Sequence, residues 1–268
     1  MTAFGAKLVE TRIRRLTKEG KVALIPYITA FDPEKGATLE FLRYLSEAEP
    51  ACIELGFPFS DPVADGPTIQ KAIVRALKNN PTFEEYLEMI ARFKKEFPEI
   101  PIVCMTYYNI LYRFGLERAV REALSSGLDG FIIPDLPMEE AGPWLKINKG
   151  KGLATVFLSA PTSGEERIRK IARLSKGFLY YVSLTGITGA RESLPEDLTM
   201  RLQKIRKLLS QPLAVGFGIS KPEHVRKLSP YADALIIGSA LVAIIEREKK
   251  KAGKELKNFF LHLKNANS

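Results

Sequence analysis

The chain has 268 residues, 46% of them apolar, with 40 Lys and Arg against 31 Asp and Glu, a net charge of +9 and a pI near 9.4. Such a composition supplies a full core, while no apolar run reaches the roughly 18 residues that a membrane span needs. The basic residues are scattered over helix faces without interleaved aromatics, which argues for a solvated surface and against a nucleic-acid partner.

In chain order, residues 4–16 predict an extra N-terminal amphipathic helix, with Leu8, Ile13 and Leu16 at helical spacing among Arg12, Arg14 and Arg15. No signal-peptide core follows the N-terminus, so a cytoplasmic protein is expected. Gly20 stops the helix, residues 22–29 form a first buried strand, and Asp32-Pro33 starts a helix to residue 47. Further buried strands are expected at 52–55, 102–106, 130–133, 153–158, 178–182, 213–215 and 234–237. Helices are expected at 68–77, 82–97, 116–125, 138–147, 165–174, 197–208, 222–228 and 239–246, with a last one over 254–265. Cys52 and Cys104 fall inside apolar runs and read as reduced core thiols.

The strands are short, continuous and rich in Val, Ile and Leu, as strands covered on both faces are. About eight strand–helix units predict an α/β fold, a (β/α)₈ TIM barrel forming a single domain over 1–268. The alternative, a doubly wound sheet, lacks its fingerprint: Ala30-Phe31-Asp32-Pro33 and not G-x-G-x-x-G follows the first strand.

Barrel chemistry collects at the C-terminal strand ends. His is absent there, so acid–base work falls to carboxylates or tyrosines. Glu54 ends an apolar strand, which raises its proton affinity. Asp61 and Asp65 sit in the Pro- and Gly-rich loop that follows, where a turn or cap role competes with chemistry; Asp135 reads as a capping or loop-pairing residue. Glycines gather in the last three units, at Gly186 and Gly189, Gly216 and Gly218, and Gly238 before Ser239. That pattern suits a phosphate bound by backbone N–H groups beside a helix N-terminus. Tyr27, Phe57, Phe59, Met105, Tyr107, Ile132, Leu158 and Tyr180 are candidates for the wall of an apolar pocket. No metal site is evident, and no Lys on a later inner strand suits a Schiff base. The residues alone therefore indicate a phosphate-bearing small molecule handled by carboxylate acid–base catalysis.

Residues 54–70, ELGFPFSDPVADGPTIQ, closely resemble the signature of the tryptophan synthase alpha subunit family. Further matches are Pro26-Tyr27-Ile28-Thr29, Tyr107-Tyr108-Asn109, Pro134-Asp135-Leu136-Pro137, Ala160-Pro161-Thr162, Thr185-Gly186-Ile187-Thr188-Gly189, Gly216-Phe217-Gly218-Ile219-Ser220 and Gly238-Ser239-Ala240. The resemblance implies a retro-aldol lyase that cleaves indole-3-glycerol phosphate to indole and D-glyceraldehyde 3-phosphate in tryptophan biosynthesis. It implies Glu54 as the acid–base on the ring carbon and Asp65 as the partner of the ring nitrogen. Tyr27, Met105, Tyr107, Ile132, Leu158, Tyr180 and Thr188 would bind the substrate, and Gly189, Gly218, Gly238 and Ser239 its phosphate. The family carries no cofactor in this chain; pyridoxal phosphate belongs to a beta subunit, the expected partner in an alpha2-beta2 complex. Two positions depart from the family pattern: Phe31 where Gly is usual, and Ile110 where Pro is common. A freestanding indole-releasing lyase, a binding module that activates another subunit, and a different phosphate-binding barrel stand as alternatives.

Overall fold

The computed structural model describes residues 3–182, 197–216 and 218–266. Its strands are β1 (Ala23–Thr29), β2 (Ile53–Gly56), β3 (Ile102–Met105), β4 (Gly130–Ile132), β5 (Ala154–Val156), β6 (Leu158–Ser159), β7 (Leu179–Val182), β8 (Leu213–Gly216) and β9 (Ala234–Ile237). All pair in parallel, in the order β5-β4-β3-β2-β1-β9-β8-β7-β6. Only Phe157 separates β5 from β6, so the two ends of that order meet and the sheet closes on itself. The strand expected at 153–158 is thus split. Phe157 N–H leaves the ladder for Ser175 Oγ at 3.3 Å, while its carbonyl accepts from Tyr180 N at 3.2 Å and carries the ring on.

Alternation on each strand divides the apolar residues into two cores. Ala23, Ile25, Tyr27, Cys52, Val103, Ile132, Val156, Phe178 and Tyr180 fill the barrel interior. Leu24, Ile28, Ile53, Leu55, Cys104, Phe131 and Tyr181 pack outward against the helices. The expected α/β barrel is the observed one.

The N-terminal helix α1 (Gly5–Lys18) closes the end of the barrel opposite the site, inserting Val9 and Ile13 into the interior core. Its start is pinned by Gly5 N–H to Asp129 Oδ1 at 3.0 Å and Ala6 N–H to Gly152 O at 2.9 Å. With that end covered by α1, the large opening among the described residues lies at the C-terminal strand ends.

Local departures have identifiable causes. The helix expected from Asp32 begins at Ala37 as α2 (Ala37–Ser46). Asp32 does not cap it: its carboxylate takes both Nε and Nη2 of Arg75 at 2.8 Å, and the Asp32–Pro33 peptide is cis. Next come α3 (Pro67–Leu77) and α4 (Phe83–Glu96), the latter opened by a capping box between Thr82 and Glu85. The helix α5 (Tyr108–Phe114) was not expected; it is two turns long and ends at Gly115, whose φ is 92°. After α6 (Leu116–Ser126), the helix expected over 138–147 is shortened to α7 (Gly142–Asn148), because Pro143 sets its start. The chain continues through α8 (Glu165–Leu174), α9 (Leu198–Arg206), α10 (Pro222–Leu228), α11 (Ser239–Glu248) and α12 (Gly253–Asn265).

Candidate active site

A cavity of about 900 Å³ opens at the C-terminal strand ends. Its walls include Tyr27, Glu54, Asp65, Met105, Leu158, Ser159, Tyr180, Gly216, Gly218, Ile236, Gly238 and Ser239. Seven different strands or their following loops supply these residues, so the site exists only when the sheet has closed.

Glu54 sits on β2, whose Ile53 and Leu55 point outward into the helix layer. The side chain faces inward and is 1% exposed. Neither carboxylate oxygen has a hydrogen-bond partner. Burial, reinforced by the nearby charge of Asp65, pushes its pKa up to about 8. A buried carboxyl without partners is costly to ionise, so Glu54 holds a proton at neutral pH.

Asp65 lies in the loop between β2 and α3. Gln70 Nε2 holds its carbonyl at 2.8 Å, and Tyr107 donates its hydroxyl to Asp65 Oδ2 at 2.6 Å. Burial raises the Asp65 pKa to about 6, and the Tyr107 hydrogen bond opposes that rise. The two carboxyls therefore occupy opposite protonation states near pH 7, one an acid and one an anion.

Glycines and serines from the last strands and their loops form another part of the cavity wall. Gly218 turns there with φ of 64°, a left-handed conformation that glycine adopts without strain. Gly238 and Ser239 open α11, whose first turn holds no acidic residue. The Ser239 hydroxyl and the Ser159 hydroxyl across the cavity are buried without partners. Unsatisfied donors beside a helix N-terminus are suited to an anion.

Between these two parts of the wall lie Tyr27, Met105, Leu158 and Tyr180. Tyr27 is held in place by its hydroxyl contact with Thr29 Oγ1 at 3.3 Å. A Cβ on Gly56 would sit 2.5 Å from that hydroxyl, so the neighbouring strand must be glycine for the ring to lie flat against it. These rings and chains make a flat apolar slot between an acid–base pair and an anion site.

The structure sorts the remaining sequence-based expectations. Tyr107 and Ile132 do not line the cavity: Ile132 is fully buried in the interior core, and Tyr107 points its hydroxyl at Asp65. Phe57 faces outward, edge-on to Phe83 at 5.2 Å and Tyr86 at 5.5 Å; Phe59 packs on Tyr107 at 5.0 Å. Asp61 is exposed and bonded to Ser60 Oγ at 2.6 Å, and Asp135 accepts from Tyr108 N–H at 2.8 Å, a loop-pairing role. Thr188 and Gly189 lie outside the described residues. Ser159 was not singled out from sequence; a serine at the end of an inner strand was the available signal. Among the described residues no group of three or more His, Cys, Asp or Glu is placed to hold a metal. No helix among them is long and apolar enough to cross a membrane.

Comparison with known proteins gives one consistent answer. Residues 13–267 match the model of the family described as tryptophan synthase alpha chain. The chain is 45% identical over 248 residues to the tryptophan synthase alpha chain of Geotalea daltonii, covering 92% of each. It is 44% identical to that of Pyrococcus abyssi, covering 88% of this chain and 94% of the relative. The crystal structure of the tryptophan synthase complex from Pyrococcus furiosus contains a chain with TM-score 0.84 and 41% identity, covering 91% of this chain and 98% of that one.

Proposed function

Since the chain belongs to the tryptophan synthase alpha chain family, we propose that Glu54 and Asp65 carry out that family's reaction, the cleavage of indole-3-glycerol phosphate to indole and D-glyceraldehyde 3-phosphate. The observation that carries this reading is a buried, unpartnered carboxyl and a loop carboxylate bonded to Tyr107 that line one cavity.

In this reading the indole lies between Tyr27, Met105, Leu158 and Tyr180, with the phosphate at Gly218, Gly238 and Ser239. Protonated Glu54 gives its proton to the ring carbon that bears the side chain. The ring becomes iminium-like and serves as an electron sink, while ionised Asp65 stabilises the positive charge on the ring N–H. The bond between ring and side chain then breaks, and its electron pair returns to the ring. The side-chain hydroxyl loses its proton to the Glu54 carboxylate and becomes the aldehyde. Atoms and charge balance without a cofactor in this chain.

The solved tryptophan synthase complex of the Pyrococcus furiosus relative supports assembly with a partner subunit; in this reading the partner is a beta subunit, the arrangement is alpha2-beta2 and the compartment is the cytoplasm. Pyridoxal phosphate would belong to that partner. The loop that bears Asp65 also presents Val63, 82% exposed, at the cavity mouth, a suitable place for the partner to sense the loop.

The test is indole release from indole-3-glycerol phosphate, with and without a beta subunit. Glu54→Gln should lower kcat by about 10²–10⁴-fold, the range of general acid–base catalysis. Asp65→Asn should lower it by about 10²-fold or more. Near wild-type turnover in either variant, or no indole from the intact chain in either condition, would overturn the assignment.

A further inference from the structure

We propose that Tyr107 is the positioning residue of Asp65, locking the loop that carries it and selecting which carboxylate oxygen meets the substrate. Family resemblance placed Tyr107 on the substrate; the geometry places it behind the carboxylate. The proposal rests on the assignment of Asp65 as the group that faces the ring nitrogen.

Among the described residues the Tyr107 hydroxyl makes two hydrogen bonds, and their chemistry fixes its direction. Ala64 N–H reaches it at 3.0 Å, and an amide N–H can only donate. The hydroxyl proton must therefore go to Asp65 Oδ2, 2.6 Å away. Adjacent residues of one loop are thus clamped by a single oxygen, one as donor and one as acceptor. With Oδ2 so engaged, Oδ1 is left with no side-chain partner among the described residues and is free for the ring N–H.

The clamp itself is anchored. Tyr107 follows β3, and Thr106 N–H bonds Ile132 O at 3.1 Å. On its other side Tyr108 N–H is held by Asp135 Oδ1 at 2.8 Å. Its ring packs on Phe59 from the same loop, with centroids 5.0 Å apart. The donor is thus anchored on both sides, and the loop is fixed by it.

The clamp also sets when Asp65 carries charge. Among the described residues, the titratable groups facing Asp65 are Glu54 from β2, Tyr27 from β1, Tyr180 from β7 and Tyr107, with Asp135 acting on Tyr107 from beyond. Of these, Tyr107 is the group that donates to the carboxylate. Burial lifts the Asp65 pKa to about 6, and the Tyr107 bond lowers it against that rise. Without the hydroxyl, Asp65 would hold its proton to higher pH.

Tyr107→Phe keeps the ring on Phe59 and removes only the hydroxyl. The acidic limb of kcat/KM for indole release should move up by about one pH unit. The loss of activity relative to wild type should be about fourfold greater near pH 6 than near pH 7.5, on top of any loss from looser positioning that is the same at both. The Ala64 amide, its acceptor gone, should exchange faster with solvent. A raised KM with the limb unmoved would return Tyr107 to the substrate and overturn the proposal, as would a loss equal at all pH. Asp65→Asn, assayed alongside, separates the two failures: wild-type rates there would remove the premise, whereas a dead Asp65→Asn with an unshifted Tyr107→Phe limb would remove the clamp alone.

Discussion

Burial raises the proton affinity of both site carboxyls, but only one of them has a hydrogen bond to oppose it. Glu54 receives no hydrogen bond and keeps its proton to about pH 8; Asp65 receives one from Tyr107 and ionises near pH 6. In the proposed mechanism the active form has Glu54 protonated and Asp65 charged. The kcat/KM profile should therefore be bell-shaped, rising through about pH 6 and falling past about pH 8. As the two sites interact, the limbs report the pair. Measured rates across pH 5–9 check this, and a flat profile over that range would contradict it. Glu54 was legible in the sequence because an acid ending a doubly buried strand has few structural uses. Asp65 was not legible from residues alone: Asp61 lies in the same loop, also has a proline close behind it, and carries the same charge. What distinguishes them is Tyr107, whose hydroxyl reaches one and not the other.

At the scale of elements, the turn after β1 shows how an unusual residue is accommodated. Phe31 has φ of 65°, a left-handed value that costs a non-glycine residue about 1–2 kcal/mol. Its ring is buried and meets Phe57 edge-on at 6.4 Å, beneath the start of the loop that bears Asp65. Its N–H bonds Thr38 Oγ1 at 2.7 Å, and its carbonyl takes Asn79 Nδ2 at 2.8 Å. Phe31→Ala should destabilise the fold by about 3–5 kcal/mol through the lost ring. Phe31→Gly loses the same ring but recovers the backbone strain, so it should cost about 1 kcal/mol less. Urea denaturation of both variants tests that order; Gly proving the worse substitution would disprove the strain. The sequence marked Phe31 as a departure without showing that the turn needs a left-handed residue. Barrel strands were readable because both faces are apolar. The split at Phe157 was not, since it depends on Ser175 from a neighbouring segment. Nor was α5, whose 7 residues are too few to establish a helical period.

For the molecule as a whole, the site is a standing expense in stability. Glu54 binds its proton more tightly when folded than when unfolded, so between the ordinary carboxyl value and about pH 8 the folded state holds the extra proton. Stability from this group is fully present at low pH and declines as pH rises through that window. Glu54→Gln removes the titration. The difference in unfolding free energy between the variant and wild type should grow in the variant's favour by roughly 3 kcal/mol from pH 4.5 to pH 7. Denaturant titrations at the two pH values measure it, and a difference that stays constant would show that Glu54 is not desolvated as described. An inactive yet more alkali-resistant protein is the expected result.

The closure of the sheet has a consequence in time. β1 pairs with β2 on one side and with β9 on the other, Ala23 lying opposite Ala234. During synthesis, β1 must wait for nearly the whole barrel to emerge before its second edge is covered. Until then that edge exposes unpaired N–H and C=O groups beside an apolar surface, the condition under which strands of different chains associate. Folding yield should therefore be set by how long the first strand remains half-paired.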